Sequence, residues 1–111
     1  MSFLFSKSKV KEVAPVEARQ RLEEGKAIIV DVREKDEWRG GHIPGATHIP
    51  LGDLQKRSSE ILSAPDVVFV CRSGNRSATA AKAFEKAGHP SVSSLAGGMG
   101  AWQRAGLPVK R

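Results

Sequence analysis

The sequence predicts a single α/β domain, a parallel β-sheet with helices on both faces. Two observations lead there. Residues 27–32 and 67–70 are apolar, largely β-branched runs, too continuous for strands wet on one side, so both belong to the buried centre of a sheet. Segments of helical pattern follow them in alternation, which implies βα units, parallel strands and ligand binding at the strands' carboxyl ends. With 111 residues, 40% hydrophobic and 27% charged, the chain can bury one core and not two.

Taken in order, residues 1–8 read as a loose tail, and the domain is expected to run from 9 to 111. Pro15 sits where a helix tolerates proline, Val16, Ala18 and Leu22 support the helix, and Gly25 stops it, although Ala14 is a poor N-cap. The strand at 27–32 leads to a short helix at 34–39, closed by Gly40 and Gly41. Ile43-Pro44-Gly45 is a turn, 47–49 a brief strand ended by Pro50, and short helices are expected near 51–54 and 58–62. After the strand at 67–70, residues 77–87 form the clearest helix, with Ala80, Ala81, Phe84 and Ala87 on one face and Gly88 as its stop. A last strand at 92–95 precedes a helix at 99–105 that ends at Gly106. Trp38 and Trp102 are expected as core anchors.

Cys71 is the only cysteine, and it lies where the second buried strand runs into Arg72-Ser73-Gly74-Asn75-Arg76-Ser77 and then a helix. A lone cysteine that closes a strand is ordinarily an inert small hydrophobe. This loop argues otherwise. Two arginines flank it, Gly74 permits close backbone approach, and a strand–loop–helix can aim successive N–H groups and the positive end of a helix at one anion. A thiolate or persulfide on Cys71 is the anion the chain itself supplies. The candidate catalytic residue is therefore Cys71, with Arg72, Ser73, Gly74, Asn75, Arg76 and Ser77 as candidate substrate-binding residues.

Three stretches in this order resemble the rhodanese homology domain, the single-domain sulfurtransferase family. They are Asp31-Val32-Arg33-Glu34 with Glu37-Trp38 and Gly41-His42-Ile43-Pro44-Gly45-Ala46, then the Cys71 loop, then Leu95-Ala96-Gly97-Gly98-Met99-Gly100-Ala101-Trp102 with Gly106-Leu107-Pro108-Val109. The resemblance implies a rhodanese-like fold of about five parallel strands. It also implies a double displacement in which Cys71 takes a sulfane sulfur from an anionic donor such as thiosulfate and yields it to an external thiol, to cyanide or to a sulfur-accepting protein. Arg72 resembles the Cys-Arg start of thiosulfate-using members, whereas Ser73 departs from the lysine that often follows. Phosphatases with a similar loop place five residues between cysteine and arginine. Four separate Cys71 from Arg76, a smaller ring that suits one sulfur better than a phosphoryl group.

A lowered thiol pKa would add thiolate but cost nucleophilicity, so the loop is expected to act mainly by orienting the donor and stabilising anions. Two alternatives stand beside a free-standing enzyme: a persulfide carrier serving a desulfurase or sulfur-relay partner, and a docking module.

The remaining features point to bland roles. His42, His48 and His89 are too dispersed for a metal cluster, so no metal or cofactor is expected. Asp31 and Arg33 end a buried strand within reach of the pocket rim, and a structural ion pair or a turn-fixing role suits them best. Gly97-Gly98-Met99-Gly100 lacks the lysine of a P-loop and reads as a tight strand-to-helix turn facing the Cys71 loop. The net charge of +6 is scattered and matches no RNA-binding module, which disfavours nucleic acid. A single thiol and apolar runs far short of about 20 residues predict no disulfide, no membrane span and a cytoplasmic address.

Overall fold

The computed structural model describes residues 10–111, and the tail expected at 1–8 lies outside them. Within them the chain runs β1 (Glu12–Val13), α1 (Pro15–Glu23), β2 (Ile28–Asp31), α2 (Lys35–Arg39), β3 (Thr47–His48), β4 (Val67–Val70), α3 (Asn75–Lys86), β5 (Val92–Leu95) and α4 (Gly98–Arg104). Two 3₁₀ turns, Leu51–Asp53 and Ser58–Glu60, stand where short helices were expected between β3 and β4. The five strands are all parallel, in the order β1-β5-β4-β2-β3.

Strand alternation divides the core in two. On one face Val30, Val67 and Phe69 pack with Ile49, Leu54 and Ile61 and with Ala80, Ala81 and Phe84 of α3. On the other, Ile29, Val68, Val70 and Leu95 pack with Ala18 of α1 and with Met99 and Trp102 of α4. Every residue of β4 is fully buried, as its continuous apolar run requires. The Phe69 and Phe84 rings meet edge-on at 5.2 Å.

Some expectations need correction. Trp102 is a core anchor, 1% exposed, with its indole N–H donating to the Pro108 carbonyl. Trp38 is not. It is half-buried and lies flat against His42 (3.6 Å between centroids) and His48 (4.7 Å), so it packs on polar rings rather than the apolar core. Val16 is exposed, and α1 buries only Ala18 fully. Ala87 is exposed as well, just past the end of α3. That helix begins at Asn75, two residues before the expected start, because Gly74 at φ 120° turns the loop directly into it. β1 escaped prediction since two residues show no periodicity; it exists through pairing with β5, Ser94 donating to Lys11 and Ala96 to Val13.

Parallel pairing in register brings the carboxyl ends of β2 and β4 level, with Asp31 opposite Val70. There the buried Asp31 carboxylate accepts from Nε and Nη2 of Arg33, and the same Nη2 also donates to the Gly41 carbonyl at 2.8 Å. This is the structural ion pair expected from the sequence. It fastens the α2–β3 connection to the end of the sheet. Among the described residues no helix is long and apolar enough to cross a membrane.

The turn after β5 lies close against the backbone of the Cys71 loop. Gly98 has φ 59°, and a Cβ there would meet the Cys71 carbonyl oxygen at 2.5 Å and that of Arg72 at 2.6 Å. Both obstacles are backbone and cannot swing away. Gly98→Ala should therefore cost about 2–4 kcal/mol, read as a lowered urea midpoint at unchanged slope. A midpoint equal to that of the wild type would mean that the two loops are free to separate.

Candidate active site

The apolar side chains of β4 fix its path, and Cys71 is the first residue beyond it, with 1% of its surface exposed. The chain then turns through the exposed Arg72 and Ser73 and the half-buried Gly74 into α3. Gly74 supplies the left-handed step. A Cβ there would meet nothing within 4 Å, so its requirement is conformational and not steric.

The Gly74 N–H donates to Cys71 Sγ at 3.1 Å, and the Ser77 hydroxyl lies 3.4 Å from the sulfur. Burial pushes the Cys71 thiol up. The Ser77 hydroxyl and the backbone N–H groups of Ser77, Gly74 and Ser73 outweigh it, so the net effect is a lowered pKa. The start of α3 adds partial positive charge to the same spot.

Ser77 is completely buried and lies beneath the sulfur, not at the mouth of the loop. Its Oγ is 2.7 Å from Ser94 Oγ of β5 and 3.2 Å from the Gly74 carbonyl. A hydroxyl has one proton to give. With Cys71 ionised, Ser77 donates to sulfur and Ser94 donates to Ser77; with Cys71 protonated, Ser77 can donate to Gly74 instead. The pair thus follows the charge on sulfur.

The two arginines have different surroundings. Arg72 is exposed and forms no ion pair among the described residues. Both terminal nitrogens of Arg76 donate to Glu37 of α2, at 2.7 and 2.9 Å. Its guanidinium thus gives one N–H of each terminal nitrogen to a carboxylate within the fold, a partner the sequence did not indicate. Glu37 Oε1 also accepts the Glu34 N–H at 2.9 Å, which satisfies an orphan donor at the start of α2. One carboxylate thereby ties α2 to the Cys71 loop. The Arg76 hydrogen bonds hold its pKa down at about 2, against the opposing effect of burial and with help from the Glu34 N–H. Asn75 is exposed at the rim, where its carbonyl accepts from Thr79.

Glu37 and Ser94 received no role from the sequence. Nothing local marks Glu37, because its partner is 39 residues away. Ser94 had a signal: two serines in a short strand between Val92 and Leu95 imply buried hydroxyls that need partners.

Beside the loop lies a cleft of about 420 Å³ between α2, Arg72 and the first turn of α4. A larger apolar groove of about 520 Å³ runs between the 51–62 segment and α3, away from the sulfur.

The fold and loop define an α/β protein with a thiol seated at the carboxyl end of a parallel sheet, and the family follows from comparison. The chain belongs to the rhodanese-like family, whose domain model matches residues 14–105. It is 39% identical over 101 residues to a sulfurtransferase of Allochromatium vinosum, covering 90% of this chain and 94% of that one. A Rhodopseudomonas palustris structure, of unknown function and described as a possible tyrosine phosphatase, superposes with a TM-score of 0.81 at 31% identity over 94% of this chain and 87% of the other. A Bacillus subtilis relative named as a candidate sulfur carrier is 35% identical over 86% of this chain, which spans 52% of that relative. The chain spans 61% and 43% of two further curated relatives.

The Glu37–Arg76 pair makes a prediction with a definite sign. The folded pKa of Glu37, about 2, lies below the ordinary 4.5, so its contribution to stability is complete above pH about 4.5 and fades as pH falls toward 2. The full shift corresponds to about 3 kcal/mol, but the side chains are 33% and 27% exposed, so solvent screening leaves about 1–2 kcal/mol. Glu37→Gln should lose that amount at pH 7 and show a shallower decline in acid, measured by urea melts between pH 2 and 7.

Removal of the Ser77 hydroxyl should raise the Cys71 pKa. In Ser77→Ala the pH inflection of iodoacetamide alkylation should move up and the rate at pH 7 fall several-fold. Ser94→Ala should shift it less in the same direction. An unmoved inflection in both would exclude the hydroxyl pair from thiolate stabilisation.

Proposed function

We propose that this chain is a sulfurtransferase that moves a sulfane sulfur through a persulfide on Cys71. The observation that carries the reading is the seat of the sulfur: Cys71 Sγ is enclosed by hydrogen-bond donors of the loop and the Ser77 hydroxyl, with its pKa lowered despite burial. Such a seat stabilises sulfur-centred negative charge in both the resting thiolate and the persulfide anion. The likeness to the Allochromatium vinosum sulfurtransferase over nearly the full length of both chains supports it.

With thiosulfate, the Cys71 thiolate attacks the outer sulfur, the S–S bond breaks, and sulfite leaves with the bonding electrons. The Cys71 persulfide anion remains. An acceptor thiolate or cyanide then attacks the terminal sulfur, and Cys71 departs as thiolate. No second cysteine exists in the chain, so the acceptor comes from outside. Arg72, exposed and without an ion pair among the described residues, binds anionic donors. A lone thiol that must stay reduced suits a cytoplasmic setting.

The carrier reading has its own support, the Bacillus subtilis relative named as a candidate sulfur carrier. It uses the same persulfide and differs in the donor, a desulfurase instead of a small molecule. Phosphatase chemistry is disfavoured for this chain. The loop has four residues between Cys71 and Arg76, one fewer than the phosphatase spacing.

Thiosulfate treatment should add about 32 Da at Cys71, removable by cyanide or dithiothreitol and absent in Cys71→Ala. An aryl phosphate should not be turned over. An unmodified wild-type mass with thiosulfate, small persulfides and a desulfurase alike would refute the proposal.

A further inference from the structure

The groove of about 520 Å³ between α3 and the 51–62 segment is large enough to enclose bulky side chains. One wall is Ala80, Ala83, Phe84 and Ala87 of α3, with Leu54 and Leu62 opposite, and no charged residue lines it. Leu62 is 53% exposed, one of two large apolar side chains left open to solvent among the described residues. Small residues on one wall and leucines on the other leave a trough that suits apolar groups and offers nothing to an ion.

Val10, the first of the described residues, stands on the same face of the sheet. It packs against the core cluster that holds Leu54, Ala80 and Phe84. Glu12 pairs in parallel with Ser94, so the chain before it comes from the side of Val92, where β5 starts and α3 has just finished at Lys86. The groove reaches that end of α3 through Phe84 and Ala87. Nine residues precede Val10, and Phe3-Leu4-Phe5 is their one run of bulky apolar side chains. At about 3.3–3.6 Å per residue, Phe5 can lie up to ~18 Å and Phe3 up to ~25 Å from Val10. The 12 residues of α3 make a helix ~18 Å long and ~10 Å across. That reach is enough to round the end of α3 and follow the groove. Lys7 and Lys9 fall on the connecting span, so seating the three apolar side chains buries no charge.

We propose that this groove is the docking site for Phe3-Leu4-Phe5 of the same chain, seated between α3 and the 51–62 segment. The tether makes the encounter intramolecular, with an effective concentration in the mM range that a second copy or an outside protein does not match when dilute. Once seated, the segment bridges α3 and the 51–62 segment across the trough. The groove lies away from Cys71, so the docking stands independently of the sulfurtransferase reading.

The test uses the full chain carrying Cys71→Ala, so that introduced thiols are the only ones. Ser6→Cys is paired with Ala83→Cys on the groove wall or with Glu85→Cys, which is equally exposed on α3 but does not line the groove. Disulfide closure in a glutathione buffer is followed by mass, and each rate is divided by the rate at which the α3 cysteine alone takes up glutathione. The Ala83 pair should close about 10-fold faster than the Glu85 pair, at a rate independent of protein concentration. Adding Phe3→Ser and Phe5→Ser should erase that advantage, because the tether remains while the apolar anchors are gone. Equal rates for the two pairs, or an advantage that survives loss of both phenylalanines, would overturn the docking and leave the groove to an outside partner. Crosslinks that join two chains and accelerate with concentration would assign the groove to a second copy and overturn it equally.

Discussion

The β4–α3 loop and the β5–α4 turn meet backbone to backbone: Met99 N–H donates to the Cys71 carbonyl at 2.8 Å and Gly100 N–H to the Arg72 carbonyl at 3.2 Å. Gly98 stands between them with no room for a side chain. The loop's carbonyls are thereby drawn toward α4, which leaves its N–H groups to face the sulfur. A loop whose peptide planes were free to rotate could present a carbonyl to Sγ and repel the charge it is meant to hold. The direction of a few peptide dipoles at Cys71 thus depends on a contact that the reacting atom does not make.

Around that contact the polar groups form a graded environment. Ser77 and Ser94 lie buried under the sulfur, Glu37 and Arg76 hold the loop from α2 while partly exposed, and Arg72 is exposed at the mouth. Burial and hydrogen bonding oppose each other at Cys71, and the hydrogen bonds prevail. Only modest reactivity comes from acidity itself, because a more acidic thiol is a weaker nucleophile. Orientation of the donor and stabilisation of both sulfur anions remain the larger effects.

The sheet explains why this chemistry collects at one edge. Both faces are covered by apolar side chains from α1, α3, α4 and the 49–61 segment, so charged groups near the centre are tolerated only where strands end. Asp31 and Arg33 occupy such an end and compensate each other, with the Gly41 carbonyl accepting a further N–H of Nη2. Breaking that pair would strand a buried charge at a cost of about 3–5 kcal/mol. It therefore belongs to the frame of the cleft.

Much of this architecture was legible in the residues. The apolar runs at 27–32 and 67–70 named the central strands because a parallel sheet buries both faces, and the single cysteine at a strand end with a glycine-bearing loop marked the candidate site. Local signals also gave the Gly97-Gly98 turn and the Trp102 anchor. Trp38 was misread because bulk and apolarity do not say whether the facing surface is core or histidine rings. The edge strand β1 was too short to carry a pattern and exists only through β5. Tertiary structure alone decided that Arg76 belongs to Glu37 and that Ser77 rests on Ser94. Partners 39 and 17 residues apart leave no periodic trace, since such pairings follow from how whole elements pack and not from the propensity of either residue.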